Sequence, residues 1–166
     1  MLSKKVYEVL NEQINHELES EYVYLQLAAW SAAHNLAGFA SWMAHQAGEE
    51  REHAMKIHNF LIDNDHEVVL TGIPAPKLNI KSPVDIFKAS LKHEQKISKN
   101  IHDCYAVALA EKCYKSQVML HWFIEEQVEE EANAKSILDK LEVLKDSPSS
   151  VYWIDKELKK RGGEGH

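Results

Sequence analysis

Glu49-Glu50-Arg51-Glu52-His53 lies inside a stretch that otherwise reads as one helix with a single apolar stripe. The stripe runs Phe39, Trp42, Met43, Gln46, Glu50, His53, Ile57, Phe60, in the steps of three and four that mark one helix face. Glu50 and His53 therefore point where the packing side chains point. A carboxylate and an imidazole one turn apart on a buried face are costly unless something pairs with them. A divalent metal would do so, and Glu-x-x-His projecting inward from a helix is a ligand pattern for paired metal ions in helical bundles. Ion pairs and capped core histidines give the same four-residue pattern, so the stretch gains meaning only from its neighbours.

On its N-terminal side, Ser3 is placed to cap a helix that the pattern carries to about His34. The inward row of that helix is Val6, Leu10, Ile14, Glu17, Glu21, Tyr24, Ala28. Asn35-Leu36-Ala37-Gly38 breaks the pattern, and so short a connection makes antiparallel neighbours. The second helix runs from about Leu36 to Asp63. Asn64 to Ser82 carries Gly72, Pro74 and Pro76 and has no helical period. A helix of about 28 residues is about 40 Å long, a distance that roughly 20 extended residues can span. The segment can therefore climb the whole bundle and begin a third helix parallel to the second, with Val68, Val69, Leu70 and Ile73 packing it against the outside.

Ser82-Pro83 opens that third helix as N-cap and first helical residue. Its stripe is Phe87, Leu91, Glu94, Ile97, Ile101, Tyr105, Ala108. A turn near Glu111-Lys112-Cys113 follows, with neither Gly nor Pro to mark it. The fourth helix carries Leu120, Phe123 or Ile124, Gln127, Glu130 or Glu131, Ala134, Leu138 and Leu141. Ser147-Pro148-Ser149-Ser150 starts a short fifth helix through about Lys160, apolar at Val151, Tyr152, Trp153, Ile154 and Leu158. Glycine-rich Arg161 to His166 reads as a disordered tail. The expected fold is all-α: a four-helix bundle with one long crossover loop and a short fifth C-terminal helix, one domain over residues 1–160.

Each of the four long stripes is broken near its middle by a polar residue. In an antiparallel hairpin, two residues lie level when their numbers sum to twice the turn centre. The first turn sets that sum at about 71, and Glu17 sums with His53 to 70 and with Glu50 to 67. The second turn sets it at about 224; Glu94 sums with Glu130 to 224 and with Gln127 to 221. A mismatch of four residues is under about 6 Å at the helical rise. Glu17, Glu50, His53, Glu94, Gln127 and Glu130 are thus expected at one level in the bundle centre. Hard carboxylate oxygens with one imidazole suit iron(II) or manganese and offer no thiolate for copper(I) or a cluster. A carboxylate can bridge two metals, and three glutamates cancel most of the charge of two iron(II) ions. Without metal, such carboxylates are expected to raise one another's pKa values and destabilise the fold.

The remaining composition narrows the field. The chain has 166 residues, 45% hydrophobic and 27% charged, with 6 Gly and 4 Pro, the profile of a mostly helical domain with a real core. A formal net charge of -7 speaks against a nucleic-acid surface. No apolar run approaches the roughly 20 residues of a membrane span, and no signal peptide is visible, so a cytoplasmic location is expected. The 2 cysteines, Cys104 and Cys113, are too few for a disulfide framework and read as small packed residues.

With these residues in hand, the chain resembles a bacterial-type non-haem ferritin. The matching segments are Leu10-Asn-Glu-Gln-Ile-Asn-x-Glu17-Leu, Phe39-Ala-x-Trp42-Met, Glu49-Glu-x-x-His53-Ala, His93-Glu94-x-x-Ile-Ser98 and Trp122-Phe-x-x-Glu-Gln127-Val-Glu-Glu130-Glu131. The resemblance implies a ferritin-like topology and a ferroxidase that takes iron(II) with dioxygen or peroxide. One iron would lie at Glu17, Glu50 and His53, and the second at Glu50, Glu94 and Glu130 with Gln127 close by. A third, weaker position would use Glu49, Glu126, Glu129 and Glu130. Glu125 and Glu131 read equally as solvated-face residues. Tyr24 is similar to the family's tyrosine beside the centre, a hydrogen-bond donor to a ligand glutamate and an electron donor; plain packing is the rival reading. Trp122 reads as structural, and His93 as a second support beside Glu94. The family implies a hollow shell of 24 chains, with the fifth helix lining the four-fold axes and iron oxide growing inside.

Departures from relatives carry expectations too. Arg51 stands where haem-binding bacterioferritins have methionine, so no haem is expected. Gln127-x-x-Glu130 replaces their second Glu-x-x-His motif and makes the second iron more labile. Gly48 costs about 1 kcal/mol of helix propensity without a functional account. A DNA-coating mini-ferritin would build its site between subunits. A rubrerythrin-like peroxidase would need two full Glu-x-x-His motifs. A metal-free interaction protein would pair its central glutamates with Lys or Arg, and the inward rows hold none at that level.

Overall fold

In the computed structural model, residues 1–163 are described, with side chains through Lys160; of the tail expected over 161–166, the first three residues continue a helix instead and the rest lies outside the described residues. Five helices follow in order: α1 (Lys4–Ala33), α2 (Ala37–Ile62), α3 (Pro83–Ala110), α4 (Tyr114–Leu144) and α5 (Pro148–Gly163). No strand occurs among the described residues. Ser3 Oγ accepts from Val6 N at 3.4 Å, capping α1 as its sequence asked. At α3, Asp85 Oδ2 accepts from Ser82 N at 3.1 Å behind Pro83 in the first turn. The unmarked turn before α4 is made by Lys112 itself, which takes a left-handed φ of 53°; Asn35 does the same at 58° between α1 and α2.

Contacts along the helices fix their directions. Tyr24 meets Ser90 and Glu94, Ser20 meets His93, Cys104 meets Val9 and Lys5 meets Glu111, so α3 runs antiparallel to α1. Gln46 meets Glu130 and His53 meets Trp122, so α4 runs antiparallel to α2. The segment 63–82 climbs the outside of α1, as expected. Its means of attachment differs from expectation. Val69, Leu70 and Ile73 are 49%, 64% and 41% exposed, and of the predicted apolar contacts only Val68 packs on the core. Two asparagines hold the loop instead. Asn11 accepts from Val69 N at 2.8 Å and donates to Val69 O at 2.9 Å, and Asn15 Oδ1 accepts from Thr71 N at 2.8 Å. An amide offers donor and acceptor together, so it satisfies an extended backbone that has no partner strand.

The apolar interior is split in two. One cluster joins Val6, Leu10, Ile14, Ile57, Leu61, Ile101, Leu120 and Phe123; the other joins Tyr24, Leu27, Phe39, Met43, Phe87 and Leu141. The predicted rows hold with shifts of one residue. Leu61 is buried where Phe60 was expected, and Phe123 and Glu130 are the buried members of their alternatives. Glu21 is not in the inward row; it lies half-buried, 3.9 Å from Arg51 Nη1. Leu91, Tyr105 and Leu138 are likewise only half-buried, because the stripe on each helix drifts around its axis.

Helix α5 also departs from expectation. Ile154 and Leu158 are buried on the second cluster, so only Tyr152 and Trp153, at 63% and 62%, are left facing outward as large apolar groups. Asp155 Oδ1 accepts from Gly38 N at 2.8 Å and Phe39 N at 3.0 Å, capping the start of α2, whose own N-cap residue Leu36 has no side chain able to do so. Gly38 is required there, since a Cβ would sit 1.6 Å from the Asp155 carbonyl oxygen. Gly48, in contrast, is exposed, with open space around it.

Candidate metal centre

Between the two apolar clusters lies a layer of polar side chains. Helix α1 contributes Glu17, α2 contributes Glu50 and His53, α3 contributes Glu94, and α4 contributes Gln127 and Glu130; all six are buried. The continuous stripes on either side force this, because a helix that packs above and below cannot turn its middle outward.

Glu17, Glu50 and His53 each offer one ligand atom within 4.8 Å of the others. His53, Glu126 and Glu130 form a second such group. His53 thus stands between both, its Nδ1 3.7 Å from Glu50 Oε2 and its Nε2 3.9 Å from Glu126 Oε1. Glu94 belongs to neither group. Its Oε1 takes the Tyr24 hydroxyl and its Oε2 accepts from Gln127 Nε2 at 3.1 Å. Glu17 Oε1 accepts from Gln13 Nε2 and Glu130 Oε2 from Gln46 Nε2, each at 2.8 Å. These amide donors hold ligand-type carboxylates from behind.

What remains is unpaired. Both oxygens of Glu50, Oε2 of Glu17 and Nδ1 of His53 are buried without a hydrogen-bond partner among the described residues. None of Glu17, Glu50, Glu94 and Glu130 forms an ion pair with Lys or Arg among them. Buried polar atoms without partners cost about 1–3 kcal/mol each, more when charged. Such a cluster calls for a cation. The electrostatics agree: burial pushes the Glu50 carboxyl well above the usual range, with repulsion from Glu94 and Glu17 adding to it. Burial likewise raises Glu94 to about 7 and Glu130 to about 9. Desolvation, more than mutual repulsion, is the leading cause.

Tyr24 is fully buried, and its hydroxyl also lies 2.9 Å from Ser90 Oγ. His93 supports it from the side, edge-on to the Tyr24 ring and 2.7 Å from Ser20 Oγ; its hydrogen bond goes to Ser20 rather than to Glu94. The layer opens on one side into a cleft of about 920 Å³ lined by Glu49, Glu126, Glu129, Glu130, Lys56 and Trp122 among others. Glu49 lies 3.4 Å from His45 Nε2, and Glu129 is exposed. Trp122 packs edge-on against His53 with Lys56 4.0 Å over its ring. Glu131 is not a solvated-face residue: Ser98 Oγ donates to it at 2.5 Å.

The ferritin-like domain family model matches residues 7–144, the span from the first turn of α1 to the end of α4, with every side chain of this layer inside it. The chain belongs to the ferritin family. The bacterial non-heme ferritin of Staphylococcus haemolyticus is 36% identical over 161 residues, covering 97% of each chain. That of Staphylococcus aureus strain MRSA252 is 35% identical over 158 residues, covering 95% of each. Among solved structures, an open pore ferritin from the hyperthermophilic archaeon Archaeoglobus fulgidus superimposes with a TM-score of 0.93 at 37% identity, covering 95% of this chain and 96% of that one. A form of that ferritin engineered to be closed gives the same TM-score at 36% identity, covering 96% and 97%. This ferritin is an all-α bundle with a short C-terminal helix, as expected; no helix among the described residues is long and apolar enough to cross a membrane.

Gln46 stood in an expected apolar row and Gln13 and Ser98 in the matching segments, but neither they nor Ser90 and Asp155 were given a supporting role from sequence. Gln13 carried a legible signal, standing one turn before Glu17 on the same face. Gln46, Ser90 and Ser98 likewise stand one turn from Glu50 or Glu94, but their partners Glu130, Tyr24 and Glu131 lie on other helices, which spacing does not show; Asp155 acts from α5.

Proposed function

We propose that this ferritin takes iron(II) as substrate and oxidises it to iron(III) within each bundle, and that it stores the product as ferric oxide mineral inside a shell of 24 copies in the cytoplasm. The observation that carries this reading is the convergence of four unpartnered buried ligand atoms on Glu17, Glu50 and His53. A first iron(II) is held by those three residues. A second is held by Glu50, Glu94 and Glu130, with Gln127 beside it. Glu126, which approaches His53, joins Glu49, Glu129 and Glu130 at a third and weaker position in the open cleft.

Two adjacent iron(II) ions give up two electrons together, and dioxygen with two protons becomes hydrogen peroxide; peroxide can serve as acceptor in turn and yields water. Each iron(III) then reacts with two waters to form oxide-hydroxide and releases three protons. Burial excludes bulk water from the layer, which strengthens the hold of carboxylates on cations. Tyr24 keeps Glu94 in place through its hydroxyl and is suitably placed to give an electron. Gln127 in place of an imidazole makes the second ion easier to release to the mineral. Haem has no part in this reading, with Arg51 in the position where haem-binding relatives carry methionine.

Iron(II) added in air is expected to oxidise well above the buffer rate, and Glu50→Ala or His53→Ala to remove most of the excess. Stopped-flow absorbance of iron(III) measures it; an unchanged rate in both variants rejects the site. Light scattering is expected to give a particle near 24 times the 19.0 kDa chain.

A further inference from the structure

Glu131 follows the proposed ligand Glu130, yet its carboxylate is engaged inside the fold. Its Oε1 accepts from Ser98 Oγ at 2.5 Å across the α3–α4 contact. Ser98 accepts in turn from Gln127 Nε2 at 3.2 Å. The same amide nitrogen donates to Glu94 Oε2 at 3.1 Å and to the Glu94 carbonyl at 3.3 Å. A line of hydrogen bonds therefore runs from half-buried Glu131 through Ser98 and Gln127 to Glu94, whose other oxygen takes the Tyr24 hydroxyl.

The direction of this line is set at its outer end. A serine hydroxyl has one hydrogen to give, and a carboxylate only accepts. The Ser98 hydrogen goes to Glu131, which leaves Ser98 able only to accept from Gln127. A planar NH2 group held by one acceptor can swing about that contact. Held by two, on Glu94 and on Ser98, its plane is fixed. With nitrogen on both, the Gln127 carbonyl oxygen is turned away from Ser98 and is the atom left for a cation or its bound water. An amide is otherwise easily turned end for end.

We propose that Glu131 is a positioning residue: by engaging the Ser98 hydrogen it orients the Gln127 amide, and through it Glu94, for the second cation. The proposal rests on the reading of the layer as a paired iron site. Its effect falls on the second position, because no hydrogen bond in the line reaches Glu17, Glu50 or His53.

Cobalt(II), titrated into the metal-free assembled protein, tests this by calorimetry and by the cobalt absorption bands, without any turnover. Glu131→Met keeps about the length of the side chain at a partly exposed position and removes both acceptor oxygens. It is expected to weaken the second cobalt by about tenfold or more, within the 10–100-fold usual for loss of such a partner, and to leave the first within about twofold. The second ion's absorption band shifts with it. Ser98→Ala is expected to match it, while Ser98→Thr, which keeps the hydroxyl, binds as the unaltered protein does. The decisive arm is Glu131→Met combined with Ser98→Ala, expected to be no weaker than either alone. Additive losses would mean that Glu131 acts merely as a nearby charge, and would overturn the proposal. So would two unaltered cobalt sites in Glu131→Met. An unaltered protein that binds fewer than two cobalt ions per chain rejects the paired site itself, and the proposal with it.

Discussion

Glu94 and Glu130 keep their protons far past the pH at which a carboxyl in water loses them. In the unfolded chain a glutamate ionises near pH 4.3. Between there and about 7 for Glu94, and about 9 for Glu130, the folded metal-free chain binds protons that the unfolded chain has released. More protons on the folded side mean that stability falls as pH rises through this window. The urea midpoint of the metal-free protein is expected to drop between about pH 5.5 and pH 8 and to drop less in Glu94→Gln, which has no proton to lose. Equal drops would reject the account. A bound divalent cation removes the penalty and displaces the protons, so its affinity is expected to rise over the same range. The six residues of the buried polar layer were legible in sequence because each interrupts an apolar row. Their amide and hydroxyl supports were not, since a Gln or Ser facing another helix looks the same in sequence as one facing water.

At the scale of the element, the helices were legible because periodicity and caps agreed: Ser3 and Ser82 open α1 and α3 where the patterns begin. Turn chemistry was less legible at Lys112, a residue with no turn signature. A non-glycine residue in the left-handed region costs about 1–2 kcal/mol, and Lys112 adopts it only because the α3–α4 hairpin demands it. Lys112→Gly is therefore expected to stabilise the chain by about 0.5–1 kcal/mol, read as a rise in urea midpoint at unchanged slope. A fall would show that the Lys112 side chain contributes more than its backbone costs. The crossover shows the opposite failing. Val69, Leu70 and Ile73 looked like the residues that hold the loop, whereas Asn11 and Asn15 hold it and the apolar groups stay exposed. Hydrophobic pattern reports burial only where a partner surface exists.

Across the whole molecule, α5 has two separate tasks. Ile154, Leu158 and Asp155 fasten it to α2 and cap that helix, while Tyr152 and Trp153 present a bare aromatic pair to the outside. Removing the entire helix would confound the two. Tyr152→Ser with Trp153→Ser is expected to weaken the proposed shell, shifting mass toward smaller species in analytical ultracentrifugation, with the circular dichroism of the bundle and the first fast oxidation retained. An intact shell in that variant would rule the aromatic pair out of the assembly. The divided interior carries a last consequence. A helical bundle ordinarily loosens at its tips, yet here each end has its own oily plug and the charged belt lies midway. Amide exchange of the metal-free protein is therefore expected to be fastest midway along each rod and slowest in the two lobes, and an added divalent cation to slow the middle alone.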